Sequence, residues 1–151
     1  MRKQSVGQGR GLLRVGLAFL ALVSAVTGAW ALAAPDSFFA TFPAPGHPWV
    51  ALLPPYNEHL VRDVGAFNLS FVLLFAWAAI SFEKRLTQAA LVAYLVYAAI
   101  HLIYHIGHLM HFPLGDALAQ TISLLGVIAV ALVLLAGVSR SPLVDRKNAT
   151  R

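Results

Sequence analysis

Four histidines fall within eleven residues, at His101, His105, His108 and His111, in a stretch that is otherwise apolar and aromatic. On a helix, His101, His105 and His108 project at roughly 0°, +40° and −20°, so they share one face. Tyr94 and Tyr97 lie on the same stripe and Tyr104 at its edge, while His111 is turned about 80° away. Three kinds of chemistry suit such a stripe. With a carboxylate such as Asp63 or Glu58 and an open position for water, the imidazoles could hold a divalent metal. Zinc and non-haem iron both accept these donors. One imidazole could instead be the axial ligand of a haem b with His59 as its partner, since His101 and His105 on one helix cannot serve opposite faces of one haem. The third reading needs no cofactor. It is a hydrogen-bonded network of His, Tyr, Asp, Gln and Arg that fixes helix packing or holds the headgroup of a lipid or quinone.

The elements that must carry these residues are long and apolar. Stretches 15–34, 64–82, 86–111 and 117–139 are free or nearly free of charge, and each is near the ~20 residues a helix needs to cross a ~30 Å hydrocarbon core. The whole chain is 59% hydrophobic and 11% charged, with a mean hydropathy of +0.74. A soluble domain carries about 25% charged residues. None of the stretches alternates as a membrane β-barrel strand would, so helices remain as the way to satisfy backbone groups in lipid. The expected fold is an all-α membrane protein, an antiparallel bundle of four transmembrane helices over about 12–34, 57–81, 87–110 and 115–138. Basic tails over 1–11 and 139–151 flank it, and a Pro- and aromatic-rich loop over 35–56 joins the first two spans.

Short links of about 82–86 and 111–114 make consecutive spans neighbours, so residues can be matched by depth. Asp63 then falls level with the interval between His105 and His108, and Asn68 with His101. Glu58 and His59 reach the outer end of the third span. Asp116 is level with His111, Gln120 with about His108, and Ser123 with Tyr104; on the fourth span these three share a face. Ionisable groups at this depth are costly unless they face the bundle interior and pair. His101, His105, His108, Asp63 and Glu58 are therefore the candidate metal ligands. His59, Arg62, Asn68, Tyr97, Tyr104, His111, Asp116 and Gln120 would line the pocket around them, and Arg62 would compensate the carboxylates.

Charge orients the bundle. The chain carries a net charge of +5 and a basic isoelectric point near 10.1, and ten of its eleven Lys and Arg residues fall on one side of the four-span plan, with only Arg62 on the other. That is the positive-inside pattern, with both termini cytoplasmic in a bacterial inner membrane. Anionic lipid headgroups account for the basic tails without nucleic acid. Four of the six acids and every histidine are then outside or in the outer half. Membrane-protein partners and self-association stay open. The first span resembles a signal peptide, but it exceeds the ~7–15 apolar residues of such a segment and Pro35 follows its small residues, so an uncleaved anchor is expected.

The 35–57 segment holds six prolines with Phe38, Phe39, Phe42, Trp49 and Tyr56. It reads either as a structured lid with a short turn of helix or as a plain interfacial connector. The chain has no cysteine, hence no disulfide or thiolate site. It also lacks a Gly-rich phosphate loop, a serine-nucleophile motif and the further histidine boxes of a membrane di-iron oxygenase.

The stretch from Tyr56 to Asn68, with Arg62-Asp63-Val64-Gly65 at the start of the second span, resembles a segment of uncharacterised four-helix membrane proteins of actinobacteria. In those, a His-rich third helix follows, as His101-Leu102-Ile103-Tyr104-His105 does here. More distantly, the four-span layout is similar to the DoxX-like membrane superfamily, some members of which are linked to quinone-coupled sulfur oxidation or oxidative-stress complexes. The resemblance implies a four-helix fold and a membrane location. It carries over no catalytic residue.

Overall fold

The computed structural model describes residues 2–140, with side chains from residue 9 onward. Four helices in it are long and apolar enough to cross a membrane, at Gly9–Ala33, Glu58–Ser81, Lys84–Gly107 and Leu114–Arg140. They belong to α1 (Arg2–Ala33), α3 (Glu58–Ser81), α4 (Lys84–Gly107) and α5 (Leu114–Arg140), while α2 (Pro35–Thr41) lies between the first two. The protein is thus a multi-pass membrane protein in build. The expected 1–11 tail is instead helical from Arg2 as the first turns of α1, and most of the 139–151 tail lies outside the described residues.

Helix α1 packs on α3 and α5, and α4 packs on α3 and α5. Their shared core holds Leu17, Leu20, Phe75, Leu91 and Val138. The distribution of side chains is that of a lipid-facing protein. Leu73, Ile80, Ile103, Ile122 and Val133 stand exposed on the outside, where acyl chains would cover them. Ser24, Asn68, Thr87 and Gln120 are turned inward, because a polar group facing hydrocarbon is costly. Small residues set the closest approach. At the α1–α3 crossing, a Cβ on Gly28 would lie 2.9 Å from the Gly65 carbonyl oxygen, so the two backbones touch.

One end of the molecule is basic. Phe82 turns the chain between α3 and α4 in the left-handed conformation, with φ 51°, and the guanidiniums of Arg10 and Arg14 lie 5.4 Å and 4.8 Å from its ring centroid. Lys84 Nζ donates to the Ser139 carbonyl at 3.0 Å, a cation at the negative end of α5.

At the other end α2 starts with Pro35 as its first residue, a position that tolerates the missing N–H. A two-residue antiparallel bridge follows, β1 (Pro43–Ala44) with β2 (His47–Pro48), turned at Gly46 with φ +89°. Phe38 and Ala31 are buried with Val61, and Trp30, Phe42, Val50 and Tyr56 pack on them. The loop is therefore an ordered structure seated on the ends of α1 and α3. Asn57 begins α3 by accepting a hydrogen bond from the Leu60 N–H.

Candidate functional site

A row of polar and aromatic rings runs between α3, α4 and α5. Asn68 is buried, and its Nδ2 donates to the Val64 carbonyl at 2.9 Å and to the Tyr97 hydroxyl at 3.4 Å. The Tyr97 ring stacks on His101, with centroids 5.7 Å apart and planes 13° from parallel. His101 meets His105 edge to face at 4.5 Å. His105 packs against Phe112 and faces Gln120 across α4 and α5. No hydrogen bond of ordinary length and angle reaches His105 Nδ1 or Gln120 Oε1, although both atoms are buried. Asn68 thus contacts Tyr97, one turn from its expected level at His101, and Gln120 faces His105 rather than His108.

The stripe ends sooner than its periodicity predicts. Helix α4 stops at Gly107, and Leu109–His111 form a 3-10 turn. Glycine is a poor helix former, and Pro113 prevents the helix from resuming in the same direction. His108 is left as the cap. Its ring stacks on Tyr104 at 4.2 Å, and its Nδ1–H donates to the Tyr104 carbonyl at 2.7 Å. His111 Nδ1–H donates to the His108 carbonyl at 3.1 Å. Of the three histidines expected to share a face, His101 and His105 meet, while His108 is spent on closing its helix.

The carboxylates are engaged elsewhere. Glu58 Oε1 accepts from Arg62 Nε at 2.8 Å. Arg62 also donates from Nη1 to the Leu32 carbonyl at 2.7 Å, which caps the negative end of α1. Asp63 is exposed and 3.4 Å from His59 Nε2, one turn away on its own helix. Whatever its depth, Asp63 points away from the buried face of α3. It is two residues from both Val61 and Gly65, which are buried, and so lies about 160° round the helix from that face.

Asp116 has partners that reasoning from helix faces missed. Its Oδ1 accepts from His47 Nδ1–H at 2.7 Å and from Trp49 Nε1–H at 3.1 Å. These two residues of the 35–57 loop thereby tie it to the first turn of α5. His47, Trp49, Pro113 and Asp116 border a shallow hollow of about 480 Å³. The only sequence signal for this contact is that Gly46 with Pro43 and Pro48 permits a hairpin, with His47 one residue beyond its turn. Nearby, Tyr56 packs on Phe39 at 5.0 Å. Burial of its phenol, with the Asp36 carboxylate nearby, pushes it up to about 12.

Among the described residues, no three His, Asp or Glu side chains converge as a metal-binding group. The closest imidazoles, His101 and His105, have Tyr97, Asn68 and Gln120 around them. This arrangement offers donors and acceptors between three helices, with the buried His105 Nδ1 left without a hydrogen-bond partner. Comparison with family models, with curated proteins and with solved structures returned no match.

Proposed function

We propose that the protein is an accessory subunit of the bacterial inner membrane. In this reading it is an antiparallel bundle that crosses the membrane four times with both termini cytoplasmic. The row from Asn68 through Tyr97, His101 and His105 to Gln120 is a packing network that fixes α3, α4 and α5. The observation that carries this reading is the fate of three carboxylates at this end of the bundle. Glu58 goes to Arg62, Asp63 to His59 and Asp116 to His47 and Trp49. The central histidines keep neutral neighbours, which suits polar groups that hold helices together in a low-dielectric interior. Orientation rests on the positive-inside distribution, and the basic inner side would attract anionic lipids.

A second reading is favoured by the buried, unbonded His105 Nδ1 and Gln120 Oε1. Here His101 and His105 bind zinc or iron, and Gln120 orients a bound water. Metal analysis and an absorption spectrum of protein purified without chelator separate the readings. The packing network predicts a colourless protein without stoichiometric zinc or iron, and a His105→Ala variant that differs only in stability. Stoichiometric metal that disappears in His105→Ala would overturn it in favour of the second reading, and a Soret band would point to haem b. Reporter fusions test the topology independently. The C-terminus should report cytoplasm and the 35–57 loop the exterior.

A further inference from the structure

The basic end of the molecule opens into an apolar groove that the polar network does not use. Between α1 and α3, Ala18, Ala21 and Ala25 face Val72, Ala76 and Ala79 across a shallow channel of about 490 Å³, with Arg14 at its mouth. Small residues on both walls leave the channel open where larger ones would have filled it. From Arg14 to Ala25 the groove spans about 16 Å at 1.5 Å per residue, close to half of a ~30 Å hydrocarbon core. It therefore has the depth of one leaflet.

The mouth of the groove has an unusual charge arrangement. Arg10 and Arg14, one turn apart on α1, both lie over Phe82, at 5.4 Å and 4.8 Å from its ring centroid. Arg14 Nε donates to the Ala79 carbonyl at 3.4 Å, and neither arginine has a carboxylate partner among the described residues. Two guanidiniums one helical turn apart, with no carboxylate between them, suit the oxygens of a phosphate.

We propose that this groove is a binding site for one anionic phospholipid of the adjacent leaflet. Its acyl chain lies between α1 and α3, and its phosphate is held by Arg14 and Arg10. The proposal rests on the inner-basic orientation above only for which leaflet supplies the lipid. If the fusions reversed the topology, the same site would face the other leaflet.

The test is native mass spectrometry of the full chain in neutral detergent, titrated with phosphatidylglycerol or phosphatidylcholine of matched chains. The wild type should retain phosphatidylglycerol in preference. Arg14→Gln should cut that preference about fivefold, the size of one basic contact at a membrane surface, while Arg14→Lys should keep most of it. Ala76→Leu, at an exposed position, should block the groove and lower retention of both lipids. Equal retention of the two lipids by the wild type, or an unchanged preference in Arg14→Gln, would overturn the proposal. Competition by inorganic phosphate as effective as the lipid would also overturn it, reducing the site to a surface anion site. So would a wild-type dimer that Ala76→Leu converts to monomer, since the groove would then hold a second copy of the chain.

Discussion

Replacing Gly28 by alanine should weaken the protein, whereas the same change at Gly126 should strengthen it slightly. At Gly28 the new methyl would sit 2.9 Å from the Gly65 carbonyl oxygen and 3.1 Å from both Asn68 Cβ and Leu69 Cδ2. The nearest of these is backbone and cannot rotate away, so α1 and α3 must separate by several tenths of an ångström. Overpacking of this kind costs about 1–3 kcal/mol. Alanine recovers about 0.5–1 kcal/mol in helix propensity, leaving a net loss of about 1–2 kcal/mol. At Gly126 nothing lies within 4 Å of the added carbon, so only the propensity gain remains. Gly65→Ala should cost at least as much as Gly28→Ala, because its added carbon would meet Leu32 Cγ at 2.7 Å and the backbone atoms Gly28 O and Leu32 N at 3.1 Å. Unfolding in mixed detergent–SDS micelles, followed by helical circular dichroism, would rank the three variants. A Gly28→Ala protein as stable as Gly126→Ala would refute the close α1–α3 crossing, and with it the register that puts Asn68 beside Tyr97.

The loop and its tether give two further tests. The chain has no cysteine, so Ala44→Cys would provide a single thiol on the exposed face of the hairpin. Its labelling rate should rise when Asp116→Ala removes the acceptor shared by His47 and Trp49, and should not change with Glu58→Gln. An equal effect of both substitutions would mean that the loop is not held at Asp116. The Tyr56 phenol, raised from 10.0 to about 12, keeps its proton in the folded protein at a pH where the unfolded chain loses it. Its contribution to stability is therefore complete below pH 10 and declines as the pH rises from about 10 to about 12. The absorbance difference between wild type and Tyr56→Phe should show phenolate only near the upper end of that window. Phenolate near pH 10 would refute the burial of this group.

The number and placement of the spans were legible because crossing a membrane imposes a length and a composition on every element. The boundaries of α3, Glu58–Ser81, lie within a residue of the expected 57–81. Errors arose where hydropathy carries no information. The end of α4 depends on Gly107 and on His108 turning back to the Tyr104 carbonyl, a local preference hidden inside an apolar run. Asp63 shows a second limit. Matching residues across a short link yields their depth, but a carboxylate reaches a histidine only if the azimuth of its helix agrees too. The face of α3 that packs inward was already marked by Val61, Gly65, Asn68 and Phe71 at intervals of three and four. Asp63 is off that series and Asn68 is on it, which is why only Asn68 joined the row of rings.

The acids at the loop end of the bundle lie away from the histidines of α4 for a physical reason. Depth alone made Asp63 and Glu58 candidate ligands beside the histidines and put Asp116 on the pocket wall. Each has a nearer competitor that costs less chain entropy or brings a donor from outside the helices. Arg62 and His59 are one turn away on α3, and His47 and Trp49 arrive on a loop ordered by its own aromatic contacts. A carboxylate with a local donor has little to gain from crossing to α4, where burial would penalise its charge. The histidines of α4 are thereby left with Asn68, Tyr97 and Gln120, side chains that stay neutral. His105 and Gln120 therefore meet in surroundings from which the carboxylates have been drawn away to other donors.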